Sequence, residues 1–584
     1  MNIANKNEIR IIKSIPPVLS KSERCAIDTE WFHMEKRRLH RPHGVFACAT
    51  FCFNDKDVYV VTDVEDLEQS FKNVEESVHI FANAKFDITQ LRRFINYHPR
   101  KKIWDVQLIE QIMFSGYYTD FALNDLVRRY CDTYLPKEER NSFQDADEMT
   151  QEMLEYSCLD TLYTLKVYRS QKEKISENDL NIWKQVEREF LWTILSMSGV
   201  RLDTEKWIAL AKDNERIAKE IQDKYGHWEE DTNIKVRAKK GEYVGEIEKR
   251  KQIFVGINLN SPLQVKKQFM SLGYNKLKST DVEVLESLAD ECEFAKDMLT
   301  YRTYAKRSST YGEKFVEDYV EADGKIYADL YQIGAETART SCRAPNLQNQ
   351  PHESAYRECF IADDGEVIIV ADWGSQEPKF AAHFSQDAGL IDALNSNEKL
   401  YVRIAREALG INITKASPEY THIKSTILGL FYGMSAKGLA KRINVSEDEA
   451  QHMIDSILET YPGIAEYMRQ QKKAKDYVTS VSGRKIWLNK YSFQWERNAL
   501  NAPIQSSAAE AMKIASYRFI QQKKDAWRLL LLVHDELVIS VPKSDVAEAE
   551  KLLTDCMISV AEELHEGIKG SAEVFHGSSW GCKS

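Results

Sequence analysis

Residues 529–541 read LLLLVHDELVISV, two apolar runs hinged on His534, Asp535 and Glu536. Short apolar runs with a polar centre predict two paired strands that carry Asp535 at their tip. Such a tip is costly unless solvent or a cation faces it, because burial disfavours the charge and like charges repel. A plain turn, where Asp is common, is the other reading. A second apolar run, VIIVA at 367–371, leads directly into another acid, Asp372. The chain is therefore expected to fold around a sheet that gathers carboxylates from distant segments.

The rest of the chain sets the order of elements. Residues 24–62 alternate apolar and polar positions in strand fashion, and from Val78 to about Tyr168 short strands give way to helical patterns. From Leu180 to Tyr319 the period is helical, broken by a charged stretch at 230–258, and strand-like runs return at 326–333 and 366–371. Helical patterns then fill 376–475. With 584 residues and roughly 100–200 per domain, three to five compact units are expected.

The N-terminal α/β part holds a second set of acids. In CAIDTEWF, Asp28 and Glu30 are two apart in a strand and share a face. In FANAKFD, Asn83 and Asp87 are four apart and read as one helical face; Tyr156 and Asp160 in YSCLDTLYT repeat that spacing. Four acids brought together could hold two divalent cations ~3.5–4 Å apart, and oxygen donors suit magnesium or manganese over zinc. Singly, each acid reads as surface or a helix cap. Jointly, D-x-E, N-x-x-F-D and Y-x-x-x-D in this order resemble the DEDD-type proofreading exonucleases, in the variant with tyrosine in the third motif. The resemblance implies that Asp28, Glu30, Asp87 and Asp160 are catalytic metal ligands and that Tyr156 orients the attacking water.

Between Asp372 and Asp535, HIKSTILGLFYGMS places Lys424, Leu428 and Tyr432 along one helical stripe. A cation, an apolar residue and an aromatic ring could meet triphosphate, sugar and base; taken alone, the stripe reads equally as an amphipathic core helix with a snorkelling lysine. Arg497, Asn501 and Gln505 form another stripe, although Pro503 inside it predicts that this helix begins late.

Set in order, these segments resemble family A DNA polymerases of the Klenow type over almost the whole chain. D-W-G-S-Q-E (372–377) is similar to the family's first catalytic motif, Lys424 with Tyr432-Gly433 to its fingers-helix motif, and His534-Asp535-Glu536 to its H-D-E motif. TARTS around Arg339, PNLQNQP (345–351), SGRKIWL with Gly483 and Arg484, LNSPLQVKKQF, YRTYAKRSSTY and REFLWTILSMSGVRLD resemble further family segments. The resemblance implies template-directed nucleotidyl transfer, with Asp372 and Asp535 holding two Mg2+ (Mn2+ also serving) and Lys424 contacting the triphosphate. It implies nucleotide contacts at Gln376, Glu377, Leu428, Tyr432, His534 and Glu536, with Glu377 as the gate against a ribose 2′-hydroxyl. It implies DNA contacts at Arg302, Lys306, Arg339, Asn346, Gln348, Asn349, Arg497, Asn501 and Gln505, the last three testing minor-groove acceptors that all correct pairs share.

The expected fold is an α/β exonuclease domain with a ribonuclease H-like mixed sheet at residues 1–182, then an α+β right-hand polymerase at 183–584. Its thumb is expected at about 187–320, its palm at about 321–400 and 476–584, and its fingers at about 401–475. The expected partners are primer-template DNA and deoxynucleoside triphosphates, together with an unidentified processivity or replisome partner; no membrane partner is expected, and the chain is expected to act as a monomer. Replication is the expected role, with repair or gap filling as the alternative. A single-subunit RNA polymerase is disfavoured by Glu377 and the exonuclease acids, and a non-catalytic DNA-binding scaffold by the full set of carboxylates.

The net charge of −11 argues against nucleic acid only if charge is taken as evenly spread. Basic clusters exist: Lys235, Arg237, Lys239, Lys240, Lys249, Arg250 and Lys251 in one, and Arg302, Lys306, Arg307 and Lys314 among tyrosines in another. The stretch 230–258 admits three readings: a DNA contact, a partner site or a mobile loop. Ten cysteines without a CxxC pair predict free thiols in a reducing compartment. The start lacks a signal-like stretch and no run reaches a membrane span, so a soluble, cytoplasmic chain is expected, in the host cytoplasm or nucleoid if phage-encoded. No 5′-nuclease segment precedes the exonuclease motifs, so primer removal is not expected.

Departures from the family pattern are specific. Tyr420 stands where arginine is usual, with His422 a candidate substitute; Leu428 replaces an aromatic residue, Trp373 a tyrosine, and Pro378-Lys379 the usual Leu-Arg. The Q-E-P run resembles phage-type members more than bacterial ones.

Overall fold

The computed structural model describes residues 2–4, 8–35, 40–99, 102–136, 142–231, 251–351 and 353–583. Two compact units emerge, one of Met1–Val200, Tyr327–Gln350 and Ala362–Lys583, the other of Arg201–Ile326 and Pro351–Ile361.

The first unit opens with strands β1 (Arg10–Lys13), β2 (Arg24–Phe32), β3 (Val45–Cys52), β4 (Asp57–Val61), β5 (Val78–Phe81) and β6 (Ile103–Asp105). They form one mixed sheet in the order β1-β4-β3-β2-β5-β6. β2 pairs antiparallel with β3, setting Asp28 opposite Thr50, and parallel with β5. Both faces of β2 are covered: Cys25, Ala26, Ile27 and Trp31 are at most 2% exposed, while Asp28 and Glu30 remain partly open. A central strand buried on both faces needs a near-continuous apolar run, so two acids within it mark a functional edge. Helices α1 (Ala84–Leu91) and α2 (Gln151–Lys174) carry the other acids, and the Thr150 hydroxyl caps α2 by accepting from the Met153 N–H at 3.2 Å.

Further along the same unit lie β7 (Glu366–Trp373), α3 (Gln376–Ser385), α4 (Pro418–Phe431), α5 (Trp495–Gln522), β8 (Arg528–Val533), β9 (Glu536–Pro542) and β10 (Ala572–Gly577). The four strands form an antiparallel sheet in the order β8-β9-β7-β10. Its interior is aliphatic: Ile368, Ile369, Val370, Leu537, Val538 and Ile539 are fully buried. The expected N-terminal α/β part with a mixed sheet, followed by an α+β part, is therefore what the chain adopts.

The second unit is mainly helical. Its helices Thr204–Tyr225 and Glu293–Tyr311 enclose a core of Val265, Phe269, Phe294, Ala295 and Met298, and Trp207 stacks on Phe315 with ring centroids 4.5 Å apart. A hairpin, Gly226–Asp231 with Lys251–Gly256, brackets the basic stretch. Residues 232–250, including Lys235, Arg237, Lys239, Lys240, Lys249 and Arg250, lie outside the described residues.

Several local expectations are corrected. The run 326–333 is not one strand: Lys325–Ile326 and Asp329–Tyr331 belong to different sheets. A short strand, Val200–Leu202, interrupts the helical period of 180–319. Asn83 is not on a helical face with Asp87; it caps α1 from outside at φ 80°, a conformation Asn tolerates better than most residues. Asp372 does not follow its strand but lies within it, because β9 and β10 both pair through that position, opposite Glu536 and Glu573. Helix α5 begins at Trp495 and runs through Pro503, since Ala499, Leu500, Ala502 and Ile504 are buried on both sides of the proline. Packing outweighs the missing N–H there.

All ten cysteines are free thiols. Among the described residues no helix is long and apolar enough to cross a membrane.

Candidate active sites

The first centre forms where β2, α1 and α2 meet. Burial lifts the Asp28 carboxyl well above the ordinary carboxylate range, and the charges of Glu30, Asp87 and Asp160 lift it further. That mutual effect shows the four predicted acids converging. Asp87 is 2% exposed and pushed up to about 8 by burial, although Thr29 donates to its Oδ1 from both N–H (3.0 Å) and hydroxyl (2.7 Å). Trp31 Nε1 in turn donates to the Thr29 hydroxyl at 3.0 Å, fixing that hydroxyl from below. Burial first, then Asp160, Glu30 and Asp28, hold the Tyr156 phenol protonated far above its usual range, so it stands in the cluster as an O–H donor.

The second centre sits at the end of the β8-β9-β7-β10 sheet. The β8–β9 turn puts His534 at φ 54° and exposes Asp535 toward Asp372. Burial, then the charge of Asp372, pushes Asp535 up to about 7; burial also raises Asp372, opposed by Lys583. Glu536 is 4% exposed, and Trp580 Nε1 donates to its Oε1.

The nucleotide-facing residues partly engage one another. Glu377, at the start of α3, accepts from Arg339 on one oxygen and from the Tyr432 hydroxyl on the other. Tyr432 caps the end of α4 instead of extending it, and its carbonyl accepts from Arg497 Nε at 3.4 Å. Lys424 is exposed and Leu428 half-buried on α4. Gln376 is 2% exposed, buried under α3. Asn346 caps the turn Leu347–Asn349, and Gln348 donates to the Thr340 hydroxyl (2.8 Å) and the Leu532 carbonyl (3.0 Å), tying this loop to β8. Arg497, Asn501 and Gln505 lie four apart along α5 with no break between them. In the second unit, Arg302 donates to the Thr280 carbonyl and, at 3.0 Å, to its hydroxyl, while Lys306 lies on the same helix, Glu293–Tyr311.

The departures have structural counterparts. Trp373 is buried and donates to the Met557 carbonyl at 3.1 Å. Lys379, buried and lowered by that burial to about 8, donates to the Ser571 hydroxyl at 2.7 Å, beside the Gly374–Ser571 backbone bond that fixes the chain next to Asp372. Tyr420 packs edge-on against Tyr401, ring centroids 5.6 Å apart. Sequence reasoning missed Lys583, whose ammonium reaches Asp372 Oδ2 at 2.5 Å and Glu536 Oε2 at 3.1 Å. No motif spacing announces Lys583.

Among the described residues, no three His, Cys, Asp or Glu side chains stand ready-made as an ion cage. The donor sets nonetheless fit hard divalent cations: they are all oxygen, and Asp28 Oδ2 and Asp372 Oδ1 are buried without a hydrogen-bond partner. Buried carboxylate oxygens of this kind are stable only when protonated or facing a cation.

Comparison with known proteins identifies the family of each part. Residues 230–582 match the family model for DNA polymerase family A, and residues 12–176 match that of a 3'-5' exonuclease. The chain belongs to DNA polymerase family A and carries a 3'-5' exonuclease domain. It is 31% identical to DNA polymerase I of Chloroflexus aurantiacus over 447 residues (73% of this chain, 46% of that protein) and 28% identical to DNA polymerase I of Streptococcus pneumoniae over 566 (91% and 61%). The chain thus spans less than two thirds of these relatives. Its fold is similar to that of the polymerase domain of Pol1 from M. smegmatis, a structure solved with DNA primer-template and dNTP, with a TM-score of 0.79 at 23% identity, covering 98% of this chain and 100% of that one.

Proposed function

We propose that this chain is a DNA-directed DNA polymerase that extends a primer 3′ end on a template, with a 3′-5′ proofreading exonuclease in its N-terminal part. The observation that carries the reading is the juxtaposition of Asp372, half-buried in β7, and Asp535, exposed at the β8–β9 turn, two carboxylates from distant segments at an open sheet end, where the Trp373 N–H donates to the Asp535 carbonyl at 3.3 Å. The substrates are primer-template DNA and deoxynucleoside triphosphates, the ligand classes named for the M. smegmatis relative. We assign the exonuclease to residues 1–182 and the polymerase to 183–584, with thumb, palm and fingers at the boundaries given above.

Mg2+ ions held by Asp372 and Asp535 in one centre, and by Asp28, Glu30, Asp87 and Asp160 in the other, would activate the attacking oxygen and neutralise the leaving one when bound. The chain's own side chains do the positioning. Lys424 meets the triphosphate, Tyr432 stacks beside the incoming base, and Glu377 blocks the 2′ position of a ribose. Arg497, Asn501 and Gln505 donate to minor-groove acceptors, which checks pair geometry without reading sequence. Tyr156 donates its hydroxyl proton toward the attacking water in the exonuclease centre. A mispaired end unstacks at lower cost, so its strand reaches that centre more readily.

Primer extension on an end-labelled hairpin in Mg2+ tests the reading. Growth with deoxynucleotides and shortening without them are expected; neither change in folded protein would overturn it.

A further inference from the structure

The last turn of the chain is built into the second acidic centre. After β10, the turn Trp580–Lys583 folds back: Trp580 is fully buried and its indole N–H donates to Glu536 Oε1. Three residues on, the Lys583 ammonium bridges Asp372 Oδ2 (2.5 Å) and Glu536 Oε2 (3.1 Å), residues held opposite each other in the β7–β9 register. Its side chain is 27% exposed, so the charge reaches the carboxylates from the solvent side, while Asp372 Oδ1 stays buried and unpartnered.

We propose that Lys583 is a resident counter-cation of the palm carboxylates: it holds Asp372 and Glu536 together before a divalent ion binds, and the ion binds in competition with it. The inference rests on the proposed polymerase reading of this centre. Its physical basis is Coulombic. Asp372, Asp535 and Glu536 are three acids crowded at one sheet end, and a single ammonium relieves their repulsion without filling the site. A divalent ion held by Asp372 would meet that positive charge nearby, so the lysine would weaken ion binding while it orders the carboxylates. Lys583 is a positioning residue; nothing in its placement brings it to the reacting atoms.

The test uses Mn2+ alone as the probe, read by electron paramagnetic resonance on the full chain in an Asp28→Ala, Glu30→Ala background that removes the other centre. Lys583→Gln and Lys583→Ala are expected to bind Mn2+ about tenfold more tightly, because a unit charge is removed beside a doubly charged ion. In chelator both should melt at lower temperature than the parent, and Lys583→Arg should restore the parent's affinity and midpoint. Unchanged or weaker Mn2+ binding in both neutral variants would overturn the inference. Asp372→Asn in the same background separates the two levels: if it abolishes Mn2+ binding while Lys583→Gln changes nothing, the counter-cation fails and the palm reading stands. If Asp372→Asn leaves binding intact, the palm reading itself has failed.

Discussion

At the scale of single residues, the two centres differ in what surrounds their acids. At Asp28, burial and then the neighbouring Glu30, Asp87 and Asp160 act together, whereas Asp372 and Glu536 have Lys583 between them. Separate chemistry follows from separate residues. Asp372→Asn or Asp535→Asn is expected to lower primer extension by at least about 10³-fold, the scale of losing a principal charge-stabilising group, and to leave 3′-end digestion intact. Asp28→Ala with Glu30→Ala should do the reverse; gel assays of both activities on each variant check the pair, and joint loss in folded protein would contradict two independent sites. Glu377, the gate proposed above, is also a tie between Arg339 and Tyr432. Because Arg339 and Tyr432 both donate to it, Glu377→Ala frees two donors as well as the space a ribose 2′-hydroxyl would fill. Ribonucleotide incorporation should rise and deoxynucleotide kcat/KM should fall together, measured by single-nucleotide insertion; a rise in ribonucleotide use alone would mean that the two contacts are incidental. The nearness of Asp28, Glu30, Asp87 and Asp160 was legible from the order and spacing of their motifs. Lys583 was not, since a lysine near a chain end looks like any solvated lysine.

At the scale of elements, period and punctuation recovered the strands that are apolar throughout and missed those set by pairing. β7 extends through Asp372 and Trp373 because two neighbours bond it, which no local pattern encodes. Helix α5 crosses Pro503 because buried residues flank it, so a breaker read from sequence was overruled by packing. The same logic of burial gives β5 a pH dependence. His79 on β5 is 2% exposed, with Nε2 against the Val74 carbonyl and Nδ1 against the Tyr97 hydroxyl. Burial lowers its pKa from 6.5 to about 4. The folded state therefore binds fewer protons than the unfolded chain between those values, so stability is lost as pH falls from about 6.5 to about 4. The full effect is on the order of 3 kcal/mol. The change in urea midpoint between pH 7 and pH 5 should shift toward greater stability at pH 5 in His79→Gln relative to the parent, since the raised Asp28 and Asp87 carboxyls act the other way in both. Fluorescence of the exonuclease part is the probe; an identical pH response in parent and variant would remove the His79 contribution.

At the scale of the first unit, a buried ionic group joins segments that sequence leaves far apart. Glu187, Arg484, Glu510 and Lys513 are all fully buried. Arg484 donates to Glu187 and, at 2.8 Å, to Glu510; Lys513 donates to Glu187 at 2.7 Å, and Gln332 to Glu187 Oε2 at 2.8 Å. Arg484 was legible as part of a family segment, but its partners were not, because a buried ion pair needs three-dimensional neighbours that spacing does not reveal. Close by, Trp487 donates to the Met113 carbonyl at 2.8 Å and its N–H to the Ser115 carbonyl at 2.9 Å. Gly116, at φ 85°, passes so near the Trp487 backbone that any Cβ would collide with it. The exonuclease part is thereby held to the segment leading into α5 by the close backbone contact at Trp487, while the ionic group ties Glu187, just beyond that part, to Arg484 and to α5. Burial alone would raise the Glu187 carboxyl, yet Lys513 and Arg484 outweigh it and hold it below the usual range. Its contribution is accordingly present above the unfolded carboxylate pKa and is lost as pH falls through the lowered folded value. Glu187→Ala leaves Lys513 without its hydrogen-bonded carboxylate and Arg484 with Glu510 alone in a dry site, where breaking one side of a buried pair costs about 3–5 kcal/mol. Urea unfolding should show that loss with a probe in the α5 region. Glu187→Gln, which keeps the hydrogen-bonding shape but not the charge, should recover only part of it. A loss under about 1 kcal/mol in Glu187→Ala would mean that water or a rearranged Glu510 already carries the balance, and the group would then be no tie between these segments.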